Sequence, residues 1–347
     1  MEMNFGFEME CELCSILSEL GIPEHLKAYE YLKDLILIAE NDTQAVTSDT
    51  FYDVVAKKDN VTRAFVNNVI RDAIGTYWNK ESLGILNEHF NGTVQLERAR
   101  PTNTEFISLM AEHLRSKYPA ELASQYEFRG EYEKAAEYFA KASEQGDLLS
   151  TYYLAQYYEQ GKGVKQDYAK AAELYVKVSE CREPLVFADP DMPLTPQCEA
   201  EYAVGCFYEK GFLPNSSMEK AIEWYFRAVE DGSDEACFKM AQLHFDGIDI
   251  AQDYEESARY LYNGYYDRRS GNEESLRLAL NLIGKTTYET ALLEIIGDCY
   301  TMGLGVERND EKAVEYYDKA NLLSSEDKLN MRKHYASTQE IYDDLPF

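Results

Sequence analysis

The chain has 347 residues and carries 34 basic against 63 acidic side chains, a formal net charge of −29. That length suits two domains, and a hydrophobic fraction of 45% is ordinary for a globular protein. The acid excess opposes nonspecific nucleic-acid binding over most of the surface, and the longest aliphatic run, Leu35-Ile36-Leu37-Ile38, is far too short to span a bilayer. The acidic start MEMNFGFEME lacks the basic segment of a secretory signal, and seven cysteines without framework spacing point to a reducing compartment, so a cytoplasmic chain with no membrane contact is expected.

In chain order, Leu13 to Leu20 has the spacing of a short amphipathic helix closed by Gly21. Cys11 and Cys14 on that helix face similar directions and read as core thiols rather than a redox pair. Pro23 opens the next helix, through Leu26, Tyr29, Leu32, Leu35 and Ile38. Asp49 or Thr50 is placed to cap a short helix over Phe51 to Lys57, and Asn60 and Thr62 make a turn and a second cap. The helix that follows is expected to bury Phe65 or Val66, then Val69, Ile70, Ala73, Ile74 and Tyr77. Pro101-Thr102-Asn103 starts a further helix through Phe106, Met110 and Leu114. Two helices joined by the short turn Lys58-Asp59-Asn60-Val61 suggest a helix-turn-helix, whose second helix would enter a major groove with its first residues on base edges.

Charge supports that placement. Residues 1–56 hold 2 basic and 12 acidic residues, net −10, whereas 57–117 hold 9 and 7, net +2; beyond residue 120 the balance is 23 against 44, net −21. Lys57, Lys58, Arg63, Arg71, Arg98 and Arg100 are the candidate phosphate contacts, which position a protein without specifying sequence. Asn67 and Asn68 have amides able to read adenine edges, and Thr62 at the helix start completes the candidate DNA-binding set within 57–100.

Four stretches carry a resemblance: ELCSILSELGIPEHLKAYEYLKDLILI at 12–38, Ala56-Lys57-Lys58 with Asn60, IRDAI at 70–74 with Trp78, and RARPTNTEFISLMAEHLR at 98–115. Residues 12–117 resemble the C-terminal DNA-binding domain of the sporulation master response regulator of Firmicutes. The resemblance implies a compact all-helical bundle with a helix-turn-helix that binds promoter DNA. The family usually shows Ser-Arg-Val-Glu-Arg-Ala-Ile-Arg on its recognition helix; this chain has Ala64-Phe65-Val66-Asn67-Asn68-Val69-Ile70-Arg71 and keeps only the last arginine. The family also carries a phosphoacceptor receiver ahead of this module, which here begins almost at residue 1, so the sequence carries no expectation of control by aspartyl phosphorylation. A Phe65 packed in the core would favour DNA binding. A Phe65 exposed beside other apolar groups would favour a protein–protein adaptor that has lost base readout.

After residue 118 a different pattern begins. Ala135, Ala171, Ala221, Ser257 and Ala313 are small residues spaced 36, 50, 36 and 56 apart, a period of 36 with insertions of 14 and 20. A fixed period in this range is the mark of a helical solenoid. In one unit Leu154, Ala155 and Tyr158 form an apolar stripe, Gly161 ends the helix, Gly163 and Val164 connect, Asp167 caps, and Ala171, Leu174, Tyr175 and Val178 face inward. Such a hairpin cannot bury its face alone, so neighbours must stack. Most of the 28 tyrosines fall on these core positions and read as packing. GKGVKQDYAKAAELYVKV at 161–178 and GLGVERNDEKAVEYYDKA at 303–320, with a good match at 211–228 that has Pro214 in the Val position and a weaker copy at 247–264, resemble Sel-one-like repeats, relatives of tetratricopeptide repeats, over roughly 120–322. That resemblance implies a surface for protein partners.

The expected fold is therefore all-α: a compact bundle with a helix-turn-helix at 1–118, an α/α solenoid of about five repeats at 119–325, and a capping helix with an acidic tail at 326–347. No Gly-rich phosphate loop, H-E-x-x-H or G-x-S-x-G occurs, and the five histidines belong to no motif, so no catalytic residue, metal or cofactor is expected. The expected function is a DNA-binding regulator, with a homodimer as one arrangement, whose solenoid holds a protein partner. The alternative is the adaptor.

Overall fold

The computed structural model describes residues 7–41, 45–48, 50–79, 81–90, 100–181, 196–268 and 273–320. The tail at 326–347, most of the Pro-rich insertion at 183–196, Asp49 and Arg98 lie outside the described residues. Among those described, the regular elements are helices and no strand occurs. The chain divides into two compact units, 1–166 and 167–347.

The first unit begins with α1 (Phe7–Glu19), α2 (Lys27–Asn41), a 3-10 turn (Ala45–Thr47), α3 (Asp53–Lys58), α4 (Arg63–Tyr77), α5 (Ser82–His89) and α6 (Asn103–Lys117). Helix α2 packs against α4 and α6 and forms the centre of this bundle. Leu13, Ile16, Leu17, Leu32, Leu35, Ile36, Val66, Ile70, Phe106 and Met110 are its buried core. Each such side chain contributes about 1.5–3 kcal/mol relative to exposure.

Local detail departs from expectation where tertiary packing decides. Helix α2 starts at Lys27, because Pro23 instead accepts from the Leu26 N–H in a turn at 3.1 Å. Helix α3 has Tyr52 at its N-cap without a side-chain cap bond; the Thr50 hydroxyl pairs with that of Ser48 at 2.9 Å. Val66, not Phe65, takes the core position of α4, while Val69 and Tyr77 stay half-buried. Cys11 is exposed and Cys14 half-buried, because the inward stripe of α1 runs through Met9, Leu13, Ile16, Leu17 and Leu20. The core reading of this cysteine pair does not hold for Cys11.

One carboxylate ties three helices of the bundle together. Glu12 of α1 lies 3.2 Å from His89 Nδ1 at the end of α5, 3.2 Å from His113 Nε2 and 2.6 Å from Lys117 Nζ, both on α6. Burial alone would raise the Glu12 pKa, but hydrogen bonds from Lys117, His113 and His89 outweigh it and hold the carboxyl down at about 2. Burial opposes charge on both histidines; Glu19 and Glu12 outweigh it at His89, whose pKa is raised, while burial prevails at His113, whose pKa is lowered.

The first unit continues with α7 (Pro119–Phe128), α8 (Tyr132–Glu144) and α9 (Leu148–Gln160), a stacked run of repeat helices. Asp147 caps α9 by accepting from Ser150 N, and Gly161 closes it in the left-handed region at φ 68°. The connector then passes close to the start of α8. At Gly163, φ is 67° and an added Cβ would stand 2.2 Å from the Tyr132 carbonyl oxygen, so both conformation and space require glycine.

The second unit holds α10 (Tyr168–Ser179), α11 (Pro196–Glu209), α12 (Met218–Glu230), α13 (Asp234–Asp246), α14 (Tyr254–Arg268), α15 (Glu273–Leu282), α16 (Glu289–Met302) and α17 (Asp310–Lys319). Successive helices pack in pairs, and the insertion before the last repeat contains α15, which packs against α14 and α16. The small-residue positions are buried in both units. Glycines on the first helix of two hairpins add further close approaches. The Tyr225 ring presses on Gly205, where an added Cβ would meet Cε1 at 2.6 Å, and Tyr317 presses on Gly297 in the same way at 2.5 Å. The hydroxyls of these rings are not wasted. Tyr225 donates to Glu209 at 2.5 Å, and Tyr317 donates to the buried Asp298, which also accepts from Tyr265 at 3.0 Å. Burial pushes the Tyr225 and Tyr265 pKa values up, so these phenols stay protonated donors.

Two outcomes follow for stability. Gly163→Ala is expected to destabilise the full chain by about 3 kcal/mol, against about 1 for Gly146→Ala, whose φ of 95° is equally strained but whose surroundings are open. Urea unfolding of the two variants side by side checks this; equal losses would remove the steric account of Gly163. For Glu12, a folded pKa of about 2 against an ordinary 4.5 makes its contribution full above about 4.5 and lost as pH falls to about 2. Glu12→Gln should cost about 2 kcal/mol at pH 7, and its difference from the parent should shrink across that acid window when unfolding is measured at stepped pH.

Candidate nucleic-acid interface

The interface is built on α3, α4 and the start of α6. Asn60 takes a left-handed conformation at φ 53°, which turns the chain between α3 and α4. Thr62 then caps α4, its Oγ1 accepting from Phe65 N at 3.2 Å. Val66, Ile70, Ala73 and Ile74 anchor the inner face of α4, which leaves Arg63, Phe65, Asn67, Asn68 and Arg71 exposed along the outer one.

Several of the expected contacts already have partners. Arg63 makes a two-point ion pair with Asp53 on α3, Nε to Oδ1 at 3.0 Å and Nη2 to Oδ2 at 2.9 Å. The guanidinium holds the Asp53 carboxyl below its ordinary pKa. Lys58 pairs with Asp34 of α2 at 2.7 Å, and this bond raises the lysine pKa. Lys57 is exposed at the end of α3. Both pairs are solvent-facing, so each is worth little and can exchange for a phosphate.

The two asparagines differ in role. Asn103, buried at the start of α6, donates Nδ2 to the Asn67 carbonyl at 2.8 Å and to Asn67 Oδ1 at 2.6 Å. Asn67 is thereby committed to holding α4 against α6. Asn68 instead accepts from Arg71 Nη2 at 2.8 Å, so amide and guanidinium form one exposed pair. Arg71 Nε also lies 3.9 Å from Asp72. Arg100 reaches α4 from the segment before α6: its Nη2 donates to the Arg71 carbonyl at 3.2 Å, and its guanidinium lies over Gly75, where an added Cβ would meet Nη1 at 2.8 Å. Arg98 lies outside the described residues.

Asn103, Asp53 and Asp34 were absent from the sequence-based set, since no spacing rule connects them to α4. The capping box of α6 was the nearest signal: Thr102 Oγ1 accepts from Glu105 N and the Glu105 carboxylate accepts from the Thr102 N–H, which fixes the start of α6 and with it Asn103. Phe65 is 48% exposed, so it does not take the core position whose occupation would favour DNA binding. Among the described residues no group of three or more His, Cys, Asp or Glu could hold a metal ion, and no helix is long and apolar enough to cross a membrane.

Thr62→Ala is expected to cost about 1 kcal/mol of stability through loss of the α4 cap. Asn67→Ala should cost a comparable amount by removing the Oδ1 acceptor of buried Asn103 while the bond to the residue 67 carbonyl remains, whereas Asn68→Ala, whose partner is solvent-exposed, should cost less than half as much. Chemical denaturation of the three variants gives the order; an Asn68 loss equal to that of Asn67 would show that the division of roles is wrong.

Comparison with known proteins adds the following. A family model described as Sporulation initiation factor Spo0A C terminal matches residues 13–114. The Sel1 repeat model matches 125–147, 149–180, 198–233, 234–263 and 295–325. Similar solved structures include a Sel1 repeat protein from Oxalobacter formigenes, at 18% identity over 59% of this chain and 86% of that one, with a TM-score of 0.37. Another is c5321, a protective antigen of uropathogenic Escherichia coli with an SLR fold, at 18% identity over 90% of this chain and 68% of that one, with a TM-score of 0.38.

Proposed function

From a chain that carries a sporulation initiation factor C-terminal domain at 13–114 and five Sel1 repeats between 125 and 325, we propose a cytoplasmic, non-catalytic DNA-binding regulator whose solenoid holds a protein partner at the bound site. The observation that carries this reading is the exposed Asn68–Arg71 pair on a helix capped by Thr62 and buttressed by Asn103 and Arg100. A pair of this kind is suited to a base edge: guanidinium to guanine, amide to adenine, each good contact being worth about 1–3 kcal/mol of discrimination. Lys57, Lys58, Arg63, Arg98 and Arg100 provide the phosphate contacts, with Lys58 and Arg63 exchanging Asp34 and Asp53 for the backbone. Two copies on a two-half-site element are the natural arrangement for a helix-turn-helix.

A second reading, the adaptor, is favoured by Phe65. Its ring is exposed at the first turn of α4, where the family pattern carries arginine. An aromatic ring at that place suits a protein contact, and on DNA it suits a thymine methyl group.

Selection of random duplexes on the full chain, first at low and then at physiological salt, separates the two. The regulator predicts an enriched motif, lost in Arg71→Ala, altered in Asn68→Ala and unchanged in Asn67→Ala, with affinity falling with salt at a log–log slope of roughly −4 to −5. Absence of enrichment at low salt would sink DNA binding, and Phe65 would then be the residue to follow in a search for a protein partner.

A further inference from the structure

Helix α5 ends on a histidine held between two carboxylates. His89 Nδ1 lies 3.2 Å from Glu12 Oε1 and His89 Nε2 lies 3.0 Å from Glu19 Oε2, both acids belonging to α1. An ionised carboxylate only accepts, and a neutral imidazole has one N–H for its two nitrogens. Both contacts are therefore hydrogen bonds only while His89 is an imidazolium. Once the proton leaves, one of them sets two acceptors against each other. The Glu12 side of this bridge is shielded, with that side chain 14% exposed, whereas Glu19 is 46% exposed and leaves the ring open to water.

The surroundings decide which histidine takes the charge. His113 of α6 also sets Nε2 against Glu12 Oε1, at 3.2 Å, but its ring is buried and stacks on Phe90 at 4.1 Å. It has one carboxylate partner, which a neutral ring with its proton on Nε2 satisfies. His89 has two. Glu88 of its own helix and Glu112, His113 and Lys117 of α6 line the same cavity beside it. Lys117 is committed to Glu12 at 2.6 Å, so the field around His89 favours a cation. Burial lowers the His89 pKa, but Glu19 and Glu12 outweigh it and raise it above the ordinary 6.5. Glu19, lowered by its hydrogen bond with His89, and Glu12, held at about 2, both stay ionised as the ring titrates.

Helix α5 has only eight residues, and a helix of that length is marginal alone. It packs against α1, with Leu86 and Phe90 as its buried apolar anchors. A charged bridge at its last residue is thus a large part of what holds its end.

We propose that His89 is a proton switch: protonated, it bridges Glu12 and Glu19 and clamps the end of α5 to α1; neutral, it gives up one of the two carboxylates and the end of α5 loosens. Because its folded pKa is raised, the stabilisation is complete below the ordinary 6.5 and is lost as pH climbs through the folded value. His113 acts in the opposite sense, since burial lowers its pKa and its neutral form is the one the fold holds. Global unfolding mixes the two, so the clamp must be read locally, at α5. The switch does not depend on the DNA-binding reading. The chain that leaves α5 nevertheless returns at Arg100, which lies over Gly75 of α4.

Nuclear magnetic resonance of the full chain labelled at histidine tests this, the His89 signals being identified by their loss in His89→Asn. Both His89 ring nitrogens should carry protons at about pH 5.5, with a titration midpoint above 6.5, while His113 stays neutral with its proton on Nε2. Amide-exchange protection over residues 86–90, corrected for the intrinsic pH dependence of exchange, should fall at least roughly fivefold from about pH 5.5 to about pH 8.5, the equivalent of one hydrogen bond. Glu19→Gln replaces an exposed carboxylate with an amide that can serve either form of the ring. In that variant His89 should titrate below its value in the parent, and α5 protection should lose its pH dependence. A His89 midpoint at or below 6.5, α5 protection that is constant across the range in the parent, or a folded Glu19→Gln that titrates and exchanges like the parent overturns the proposal. Should Glu19→Gln not fold, the His89 midpoint and the pH dependence of α5 protection in the unmodified chain decide it alone.

Discussion

Helix α2 ends inside the protein, and the first unit depends on how that end is satisfied. The last carbonyls of a helix have no partner within it, and buried ones must find donors elsewhere. Here Arg115 of α6 takes the carbonyls of Ala39 and Glu40, and the Tyr126 hydroxyl of α7 takes that of Asn41 at 2.6 Å. Arg129 adds a bond to the Asn41 side chain at 2.6 Å. Two of these three donors belong to the first repeat helix. The bundle therefore does more than precede the repeats: its central helix is completed by them.

That joint also answers a general difficulty of repeat architectures. Each hairpin buries its face only against a neighbour, so the first one needs a cap. In this chain the bundle serves as that cap, which leaves Leu122, Ala123 and Tyr126 of α7 buried. Lys162, in the connector after α9, returns to Glu127 of α7 at 2.7 Å and closes the run. It follows that the compact unit extends to residue 166, beyond the point where the sequence pattern changes. The sequence records where the repeats start, whereas compactness records where their support ends.

How much was legible in the sequence follows from the range of each interaction. Period, caps and left-handed glycines are local, and they read correctly: Gly161 and Asp167 stand where the repeat pattern puts them, and so does Thr62 at the head of α4. The burial of Ala135, Ala171, Ala221, Ser257 and Ala313 was equally visible, because a fixed period repeats one packing problem. What could not be read was set by partners distant in sequence. Cys11 looked like a core thiol until the inward stripe of α1 was fixed by the bundle. Asn67 looked like a base reader because nothing in its surroundings announces Asn103, and the ion pairs of Arg63 and Lys58 depend on Asp53 and Asp34 in the same way. The structure thus gives Asn67, Arg63 and Lys58 partners that their spacing did not announce.

Those partners change how the interface can work. A helix face of free arginines attracts any duplex, since phosphate contacts carry no sequence. On α4 the basic groups are compensated by nearby carboxylates, and the exposed pair is one amide with one guanidinium. Around it stands a chain with net charge −29, of which −21 lies beyond residue 120. Nonspecific attraction is weakened at both scales, by ion pairs within a few ångströms and by the overall charge across a Debye length of about 10 Å. Any duplex held by this surface must then be held by a few well-formed contacts, which shifts the balance from affinity towards discrimination.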